Sequence, residues 1–434
     1  MPTWSNWAGD QRCVPAAIER PGSLDELRRV VAEASAAGRA VRAAASGHSF
    51  TDIALTDGVM VGLDCLCGPL DFDRDSGLFK VEGGIVLSEL NRALDEHGVA
   101  FENLGDIDRQ TIAGSISTGT HGTGVRYQNL SAQIAALELV TATGDLVAVD
   151  GSDPDLLRAA RVGLGALGVI YSVTVRTVPA FRLDRLDSPK PLAEVLDGLD
   201  EIGAETDHFE FYVFPGTRTA LCRESRRTDE PPAPRHRALV YAQEVMLENW
   251  VGRMFAIAAR RFPSQAPRLA RAASRGVGRS RKLDRSFRVF ASERRIKFTE
   301  MEYGIPREHA REAVERVLEA AGRPEHAVAF PIEVRFVAAD DSILSPAHER
   351  ETCYIAVHQD RKLHWEPYFR EVEAIAGEYG GRPHWGKRHF QTAPTLAPLY
   401  PRWEAFRQVR ARLDPGGVFR NAYTDRVLGS PQDA

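Results

Sequence analysis

The chain has 434 residues, of which 43% are hydrophobic and 26% charged, with a formal net charge of −5. This is the composition of a globular protein long enough for two domains, and the charge gives no reason to expect a nucleic-acid partner. Five widely spaced cysteines argue against a disulfide framework, and neither a signal peptide nor a transmembrane segment is recognisable. We therefore expect a cytoplasmic protein.

The first 180 residues alternate between helix and strand patterns. Ser23 and Glu26 form a capping-box pattern at the start of a helix that Gly38 ends. Residues 41–45 predict a buried strand that runs directly into the first motif described below. Hydrophobic periodicity predicts further strands over 59–63, 78–82, 135–141, 146–149 and 169–178, and helices over 87–97 and 155–161. Residues 105–124 lack periodicity and are predicted as a loop.

The composition changes after Pro179, where we place a domain boundary. The second half predicts strands over 209–214, 295–303, 330–337 and 352–358, and helices over 307–321 and 367–379. Residues 251–297 carry fourteen lysines or arginines and two acidic residues. Exposed helix faces explain this stretch best, and the alternative is a basic surface for an anionic membrane or a redox partner.

The first motif is Ala44-Ala45-Ser46-Gly47-His48-Ser49-Phe50, after the predicted strand. Small residues at such a position let backbone N–H groups approach a phosphate. The alternative is an ordinary turn with a surface histidine. No G-x-G-x-x-G pattern follows a strand here, which argues against a nicotinamide dinucleotide fold.

The second motif extends from Gly114 to Gly124 and contains four glycines, five hydroxyl residues and His121. Such residues cannot form a dense apolar core, whereas glycines and hydroxyls suit a loop that wraps a polar cofactor. The alternative is a surface linker.

The third motif is Glu333-Val334-Arg335 within a predicted strand. Residues two apart on a strand point to the same face, so Glu333 and Arg335 project together. His358 ends the next strong strand and would face the same cleft if the two strands pair. An exposed strand face is the alternative.

The fourth motif is His384-Trp385-Gly386-Lys387-Arg388-His389. Its cationic side chains are typical of a site that stabilises negative charge, and a lysine beside a reacting alkoxide can also take up a proton. The histidine spacing does not favour a metal site, and we predict none.

In this order, the four motifs resemble the FAD-dependent aldonolactone oxidoreductases of the vanillyl-alcohol oxidase superfamily. These include gulonolactone, galactonolactone and arabinonolactone oxidases or dehydrogenases, and the related alditol oxidases. The resemblance spans the chain from Trp4-Ser5-Asn6-Trp7 to Asn421-Ala422-Tyr423. It implies an α+β fold: a PCMH-type FAD-binding domain of two subdomains over 1–180, and a substrate domain over 181–434. The substrate domain is expected to be a large antiparallel sheet with flanking helices, its C-terminal segment returning to the FAD domain.

The resemblance also implies the residues that hold FAD. Many members bond the flavin 8α carbon covalently to the histidine that matches His48. The implied cofactor-binding residues are Ala44, Ala45, Ser46, Gly47, His48, Ser49, Phe50, Gly114, Ser115, Thr118, Gly119, His121, Gly122, Gly168 and Ile170.

The implied reaction is hydride transfer from a carbinol carbon of an aldono-1,4-lactone to flavin N5. The catalytic residues implied are Glu333, Arg335, His358 and Lys387, and the substrate-binding residues are Ser115, Glu333, Arg335 and Lys387. Either His358 or Lys387 is the expected base.

The electron acceptor is O2 or a cytochrome or quinone, with small Gly114 and Ser115 favouring oxygen access. An alditol oxidase acting on xylitol or sorbitol is the first alternative. A flavin-binding electron-transfer subunit is a remote one, because Glu333, Arg335 and Lys387 are all present.

Overall fold

The computed structural model describes residues 2–231, 260–262, 265–275, 278–291 and 297–430. The strands of the first 180 residues are β1 (Trp4–Ser5), β2 (Arg12–Cys13), β3 (Ala17–Glu19), β4 (Val41–Ala44), β5 (Val59–Gly62), β6 (Pro69–Asp73), β7 (Leu78–Glu82), β8 (Val99–Ala100), β9 (Ile134–Val140), β10 (Leu146–Val149), β11 (Val169–Arg176) and β12 (Val178–Pro179). The helices of this half are α1 (Leu24–Ala36), α2 (Leu87–Glu96), α3 (Ile112–Ser117) and α4 (Pro154–Ala160).

Two sheets organise the first half. A parallel sheet has the order β3-β5-β4, and an antiparallel sheet has the order β10-β9-β11-β7-β6. The motif at residues 44–50 begins at the end of β4, an edge strand of the parallel sheet. Turns that follow parallel strands are common ligand sites, because the carboxyl ends of the strands open onto one edge.

The second half contains one large sheet and its helices. Its strands are β13 (Arg182–Pro191), β14 (His208–Val213), β15 (Thr219–Thr228), β16 (Ser280–Arg285), β17 (Thr299–Pro306), β18 (Ile332–Val337), β19 (Thr352–Gln359) and β20 (Arg382–Pro383). They form an antiparallel sheet of order β16-β13-β15-β14-β18-β19-β17-β20. The helices are α5 (Leu192–Asp197), α6 (Leu199–Glu205), α7 (Ala266–Arg275), α8 (Ser286–Phe290), α9 (Ala310–Gly322), α10 (Glu366–Glu378), α11 (Ala393–Leu396), α12 (Trp403–Leu413) and α13 (Ala422–Leu428).

The two faces of this sheet differ in chemistry. Side chains such as Phe211, Val334 and Ile355 point to one face and share a hydrophobic core with residues of α9 and α10. Alternate residues of the same strands point the other way and are mostly polar or charged. That second face lies against the first half of the chain.

The C-terminal helices leave this sheet and pack on the first half. Trp403, Phe406 and Tyr423 belong to the same hydrophobic cluster as Val41 and Val61 of the parallel sheet. The last segment of the chain therefore supports the strand that carries the first motif.

Several elements differ from the sequence predictions. Residues 105–124 were predicted as a loop but include α3, which Thr111 caps by accepting a hydrogen bond from the Gly114 N–H at 3.1 Å. The strand predicted over 295–303 begins at Thr299, and residues 295–296 of the prediction lie outside the described residues. The long strands β13 and β15 were missed, because charged residues and prolines in their sequences are disfavoured in strands and only pairing with neighbours stabilises them there.

Much of the basic stretch 251–297 lies outside the described residues, so its membrane or partner role stays a prediction. In its described part, Arg281 forms a two-pronged ion pair with Asp184 at 2.7 and 2.8 Å, as an ordinary surface strand would. Over the part of the chain that the structure covers, no helix has the length and apolar character of a membrane span. All five cysteines are unpaired, in agreement with the sequence.

Candidate active site

Three adjoining cavities form a groove along the end of the parallel sheet. The central cavity, of about 840 Å³, is lined by Ser46, Gly47 and Gly114 among others. A cavity of about 970 Å³ beside Ala44 and Met60 shares Ala45, Ser46 and Thr111 with it. At the other end, a cavity of about 760 Å³ shares His48, Ser49 and Thr118 with the central one and reaches Lys387. A ligand with two ring systems joined by a diphosphate matches this layout.

Glycines bring the backbone close to the groove. Gly47 has φ +68°, a conformation that other residues rarely adopt, and a Cβ there would lie 3.0 Å from the ring of Trp4. A Cβ on Gly114 would lie 2.8 Å from the Cβ of Ala45. The segments that contain Gly47 and Gly114 can therefore lie this close to their neighbours and to a ligand only because glycine has no side chain.

Arg42 lies in the wall of the central cavity and is 3% exposed. Its guanidinium donates to the backbone carbonyls of four residues, namely Ile53, Leu164, Gly165 and Phe419. Its Nε has no hydrogen-bond partner in the part of the chain that the structure describes, and burial lowers the pKa of Arg42 to about 10. Within the described residues no carboxylate forms an ion pair with it, so a buried positive charge borders the middle of the groove and fits an anionic diphosphate.

Eleven of the predicted cofactor residues line the groove: Ala44, Ala45, Ser46, Gly47, His48, Ser49, Phe50, Gly114, Thr118, Gly168 and Ile170. The other four, Ser115, Gly119, His121 and Gly122, do not line these three cavities. Ser115 is fully buried, and its hydroxyl donates to the Ile112 carbonyl at 2.9 Å. Arg42 belongs to the segment 42–50 that the resemblance implies for the pyrophosphate, whereas Trp4 and Gln110, which also line the groove, were missed.

His48 lies where the central cavity meets the one that reaches Lys387. Its ring stacks on Trp7, with centroids 5.6 Å apart and an interplanar angle of 27°. Burial, together with the positive charges of Lys387 and Arg109, lowers the pKa of His48 to about 4. The ring is therefore neutral at physiological pH, the state in which a ring nitrogen keeps a lone pair for bond formation.

Glu333, Arg335 and His358 lie on the polar face of the large sheet and are not among the residues that line these three cavities. Arg335 lines a separate cavity of about 390 Å³, together with Asp106, Glu210 and Arg223. Glu333 lies opposite Ala356, and Arg335 opposite Tyr354, in the pairing of β18 with β19. Glu333 and Arg335 form an ion pair, as their two-residue spacing predicted. His358 Nε2 lies 4.0 Å from Glu333 Oε2, so pairing of the two strands places it on the same face.

Arg335 is held by three carboxylates. Its Nε donates to Glu210 Oε2 at 2.8 Å, and its Nη2 lies 3.1 Å from Asp106 Oδ2 while also pairing with Glu333. The side chain is 8% exposed. A guanidinium bound on several sides has a fixed orientation, which is what recognition of a substrate oxygen needs.

Lys387 pairs with Glu300, which lies opposite His358 in the sheet. Glu300 Oε1 is also 3.5 Å from His358 Nε2. Burial alone would raise the pKa of Glu300, but the positive charge of Lys387 is the largest opposing cause, and the pKa is lowered to about 2. Glu300 is thus a charged partner of Lys387.

His121, Glu302 and His384 form a third buried group whose potential ligand atoms lie within 4.8 Å of one another. His121 Nε2 contacts Glu302 Oε1 at 3.1 Å, and the His121 ring stacks on Tyr354 at 3.6 Å. His384 Nδ1 accepts the Gly386 N–H at 3.0 Å, so in the neutral ring the proton is on Nε2 and no lone pair is left for a metal. These bonds favour a hydrogen-bonded cluster rather than a metal centre.

Sequence reasoning did not identify the carboxylates Asp106, Glu210, Glu300 and Glu302. The signal for Glu300 and Glu302 was present, since they alternate with buried Met301 and Tyr303 as Glu333 and Arg335 alternate with Val334. No sequence pattern marks Asp106, because it lies in a loop and meets Arg335 only through packing between the two halves of the chain.

The chain is similar to known proteins over its whole length. A family model described as D-arabinono-1,4-lactone oxidase matches residues 173–427, and one described as FAD binding domain matches residues 15–150. L-gulono-1,4-lactone dehydrogenase of Mycobacterium tuberculosis is 52% identical, over 99% of both chains. L-gulonolactone oxidase of Bos taurus is 33% identical, over 98% of each.

An alditol oxidase and a cholesterol oxidase are also similar to the chain. Alditol oxidase of a Streptomyces species is 33% identical over 98% of each chain. Cholesterol oxidase from Brevibacterium sterolicum has a TM-score of 0.79 at 16% identity, covering 98% of this chain and 96% of its own. This likeness and the match to the FAD binding domain model together show the fold, a PCMH-type FAD-binding domain joined to a large antiparallel sheet.

The Glu300–Lys387 pair makes a prediction about pH. Because its folded-state pKa lies below the unfolded value of 4.5, Glu300 adds stability above pH 4.5 that is lost as the pH falls toward 2. Glu300→Gln leaves Lys387 without its carboxylate and should cost roughly 3 kcal/mol at pH 7. The difference in thermal midpoint between wild type and variant should shrink between pH 4.5 and pH 3.

The control is Glu319→Gln, a change of the same type on the exposed face of α9. Its midpoint should follow wild type at every pH. A Glu300→Gln deficit that stays constant down to pH 3 would contradict the assignment of Glu300 as a charged partner of Lys387.

Proposed function

Because the chain belongs to the D-arabinono-1,4-lactone oxidase family, we propose that it oxidises an aldono-1,4-lactone at a carbinol carbon. The enzyme is an FAD-dependent oxidoreductase. The observation that carries the proposal is the charged cluster of Glu333, Arg335, His358 and Lys387, in which Lys387 reaches the cofactor groove and Glu300 contacts both Lys387 and His358. This cluster contains groups that can form hydrogen bonds with substrate hydroxyls and cations that can stabilise an oxyanion developing during the reaction.

FAD occupies the groove along residues 44–50 in this proposal, with Arg42 facing its diphosphate. When bound, the flavin accepts the hydride, and the protein supplies position and charge. We propose that residues 1–180 hold the cofactor and 181–434 the substrate. Packing of the C-terminal helices on the first half supports the expected return of that segment.

We propose His358 as the base, rather than Lys387. His358 Nδ1 lies 3.3 Å from the Pro331 carbonyl, an acceptor, so this nitrogen carries the proton of the neutral ring. Among the described residues its Nε2 has no hydrogen-bond partner, so its lone pair is available for a substrate hydroxyl proton. The carboxylates of Glu300 and Glu333, at 3.5 and 4.0 Å, stabilise the imidazolium that results.

Lys387 and Arg335 then stabilise negative charge. Lys387 pairs with Glu300, and its ammonium lowers the energy of an alkoxide. Glu333, next to Arg335, accepts hydrogen bonds from substrate hydroxyls and fixes the orientation of the sugar. These roles match a neutral polyhydroxylated substrate.

We propose that electrons leave to an acceptor other than O2, such as a cytochrome or quinone. The small residues at 114 and 115 favoured oxygen access in the sequence. However, the Cβ of Ala45 fills the space beside Gly114, and the Ser115 side chain points into its own helix. A relative at 52% identity carries the name dehydrogenase.

The function is tested by anaerobic mixing of the holoenzyme with L-gulono-1,4-lactone while the visible absorbance of the flavin is followed. We expect bleaching that persists when air is admitted. Rapid recovery in air would contradict the proposed acceptor and identify an oxidase. No bleaching with gulono-, galactono- or arabinonolactone, together with bleaching by xylitol or sorbitol, would replace the proposal by an alditol oxidase.

Removing either cation should slow the reaction without loss of cofactor. For Arg335→Ala and Lys387→Met we expect anaerobic flavin reduction about a hundredfold slower, from roughly 3 kcal/mol of lost transition-state stabilisation. Lys362→Met, at an exposed site, is the control and should reduce at the wild-type rate. Loss of bound FAD in the first two variants would refute their placement on the substrate side.

His48 makes a prediction about the linkage of the cofactor. A neutral ring at the groove wall is suited to an 8α-N-histidyl bond, so we expect flavin fluorescence to remain with the polypeptide on a denaturing gel. His48→Ala should release the flavin under the same conditions while still binding it in the native state. Release of all flavin from the wild-type chain would show that FAD is held without a bond.

A further inference from the structure

Four charged residues form a straight row across the polar face of the large sheet. Asp187 of β13 lies opposite Arg223 of β15, Arg223 opposite Glu210 of β14, and Glu210 opposite Arg335 of β18. We call these four residues the ionic row. Each comes from a neighbouring strand, and the sign of the charge alternates along the row. Residues directly opposite in antiparallel strands are the pairs whose side chains interact.

The side chains of the ionic row contact one another in sequence. Asp187 Oδ1 lies 3.7 Å from Arg223 Nε, Arg223 Nη1 donates to Glu210 Oε1 at 3.2 Å, and Glu210 Oε2 accepts from Arg335 Nε at 2.8 Å. Glu210 thus has one oxygen bound by each arginine. Neighbouring strands are about 4.8 Å apart, which puts the backbone of Arg223 about 10 Å from that of Arg335.

Arg223 also fixes the surroundings of Glu210. Its Nη1 donates to the Tyr212 hydroxyl at 3.1 Å, and its guanidinium lies 4.9 Å from the centre of the Tyr212 ring. The Tyr212 hydroxyl in turn is 3.0 Å from Glu210 Oε1. Arg223 and the Tyr212 hydroxyl that it contacts therefore both bind Oε1 of Glu210. The other oxygen, Oε2, faces Arg335.

We propose that Arg223 is a positioning residue, which acts through Glu210 to fix the orientation of the catalytic guanidinium of Arg335. Arg223 lies two strands from Arg335, and both arginines line a cavity of about 390 Å³ that shares no lining residue with the one containing Lys387. The role follows from the geometry: without Arg223, Oε1 of Glu210 loses its cation, and the carboxylate turns toward other donors. The assignment of Arg335 as catalytic rests on the proposed function.

The matched control is Arg185, which pairs with the same Asp187 as Arg223 does. Its Nε also pairs with Asp187, at 3.0 Å, and it lies on the same face, but it does not contact Glu210. If these contacts served stability alone, loss of Arg223 and loss of Arg185 should have similar effects, because each removes a partner of Asp187. Only a positioning role predicts a larger loss of activity for Arg223 than for Arg185.

The test compares Arg223→Met with Arg185→Met in the holoenzyme, with L-gulono-1,4-lactone and an artificial dye acceptor. We expect kcat/KM to fall about tenfold in Arg223→Met, with FAD content unchanged, and to stay within about twofold of wild type in Arg185→Met. Combined with Glu210→Gln, Arg223→Met should cause no further loss, because its effect passes through Glu210. Equal losses in the two arginine variants, or additive losses with Glu210→Gln, would overturn the proposal.

A second measurement needs no substrate and so separates this inference from the proposed function. In protein labelled with 15N at arginine Nε, the Nε–H signal that disappears in Arg335→Lys belongs to Arg335. Its hydrogen bond to Glu210 should be altered in Arg223→Met, which moves or broadens the signal, and kept in Arg185→Met. An unchanged Arg335 signal in Arg223→Met would refute the positioning role even if the wild-type enzyme oxidised a different substrate.

Discussion

The charged face of the large sheet is the constraint on which the rest of the molecule depends. Its central strands β14, β18, β19 and β17 are buried, by a hydrophobic core on one side and by the first half of the chain on the other. Burial of an unpaired charge costs several kcal/mol, so each charge on this face needs a partner. The result is a set of paired charges: Lys387 with Glu300, Arg335 with Glu333 and Glu210, and His121 with Glu302.

These pairs explain why the site contains carboxylates in addition to the cations proposed to act on the substrate. A cation that stabilises an alkoxide is effective only if it is already oriented and dehydrated before the substrate arrives. The carboxylates hold Lys387 and Arg335 in that state. The same principle appears in the groove, where the buried guanidinium of Arg42 is fixed by backbone carbonyls from three separate segments.

The sequence predicted local features better than those that depend on contact between distant segments. Periodicity located β4, α1 and the strands with Glu333 and His358, because each has a hydrophobic pattern of its own. The strands β13 and β15 have no such pattern, and they supply Asp187 and Arg223 of the ionic row. Asp106 and Arg42 take part in the site through contacts with residues more than a hundred positions away, which no local pattern reveals.

Residues 111–124 join the two halves of the site. Gly114 and Thr118 line the cofactor groove, whereas His121 binds Glu302 on the substrate sheet. Three residues further on, the Gly124 N–H donates to the Phe336 carbonyl at 2.6 Å, next to Arg335 in β18. One short segment therefore forms the wall of the groove and is bonded to two strands of the sheet. A residue such as Ser115, fully buried and bonded within α3, affects the ligand by fixing this segment rather than by touching it. This explains why a motif rich in glycine and hydroxyl residues contains positions that do not line the groove: half of the motif forms the groove wall, and the other half attaches that wall to the charged sheet.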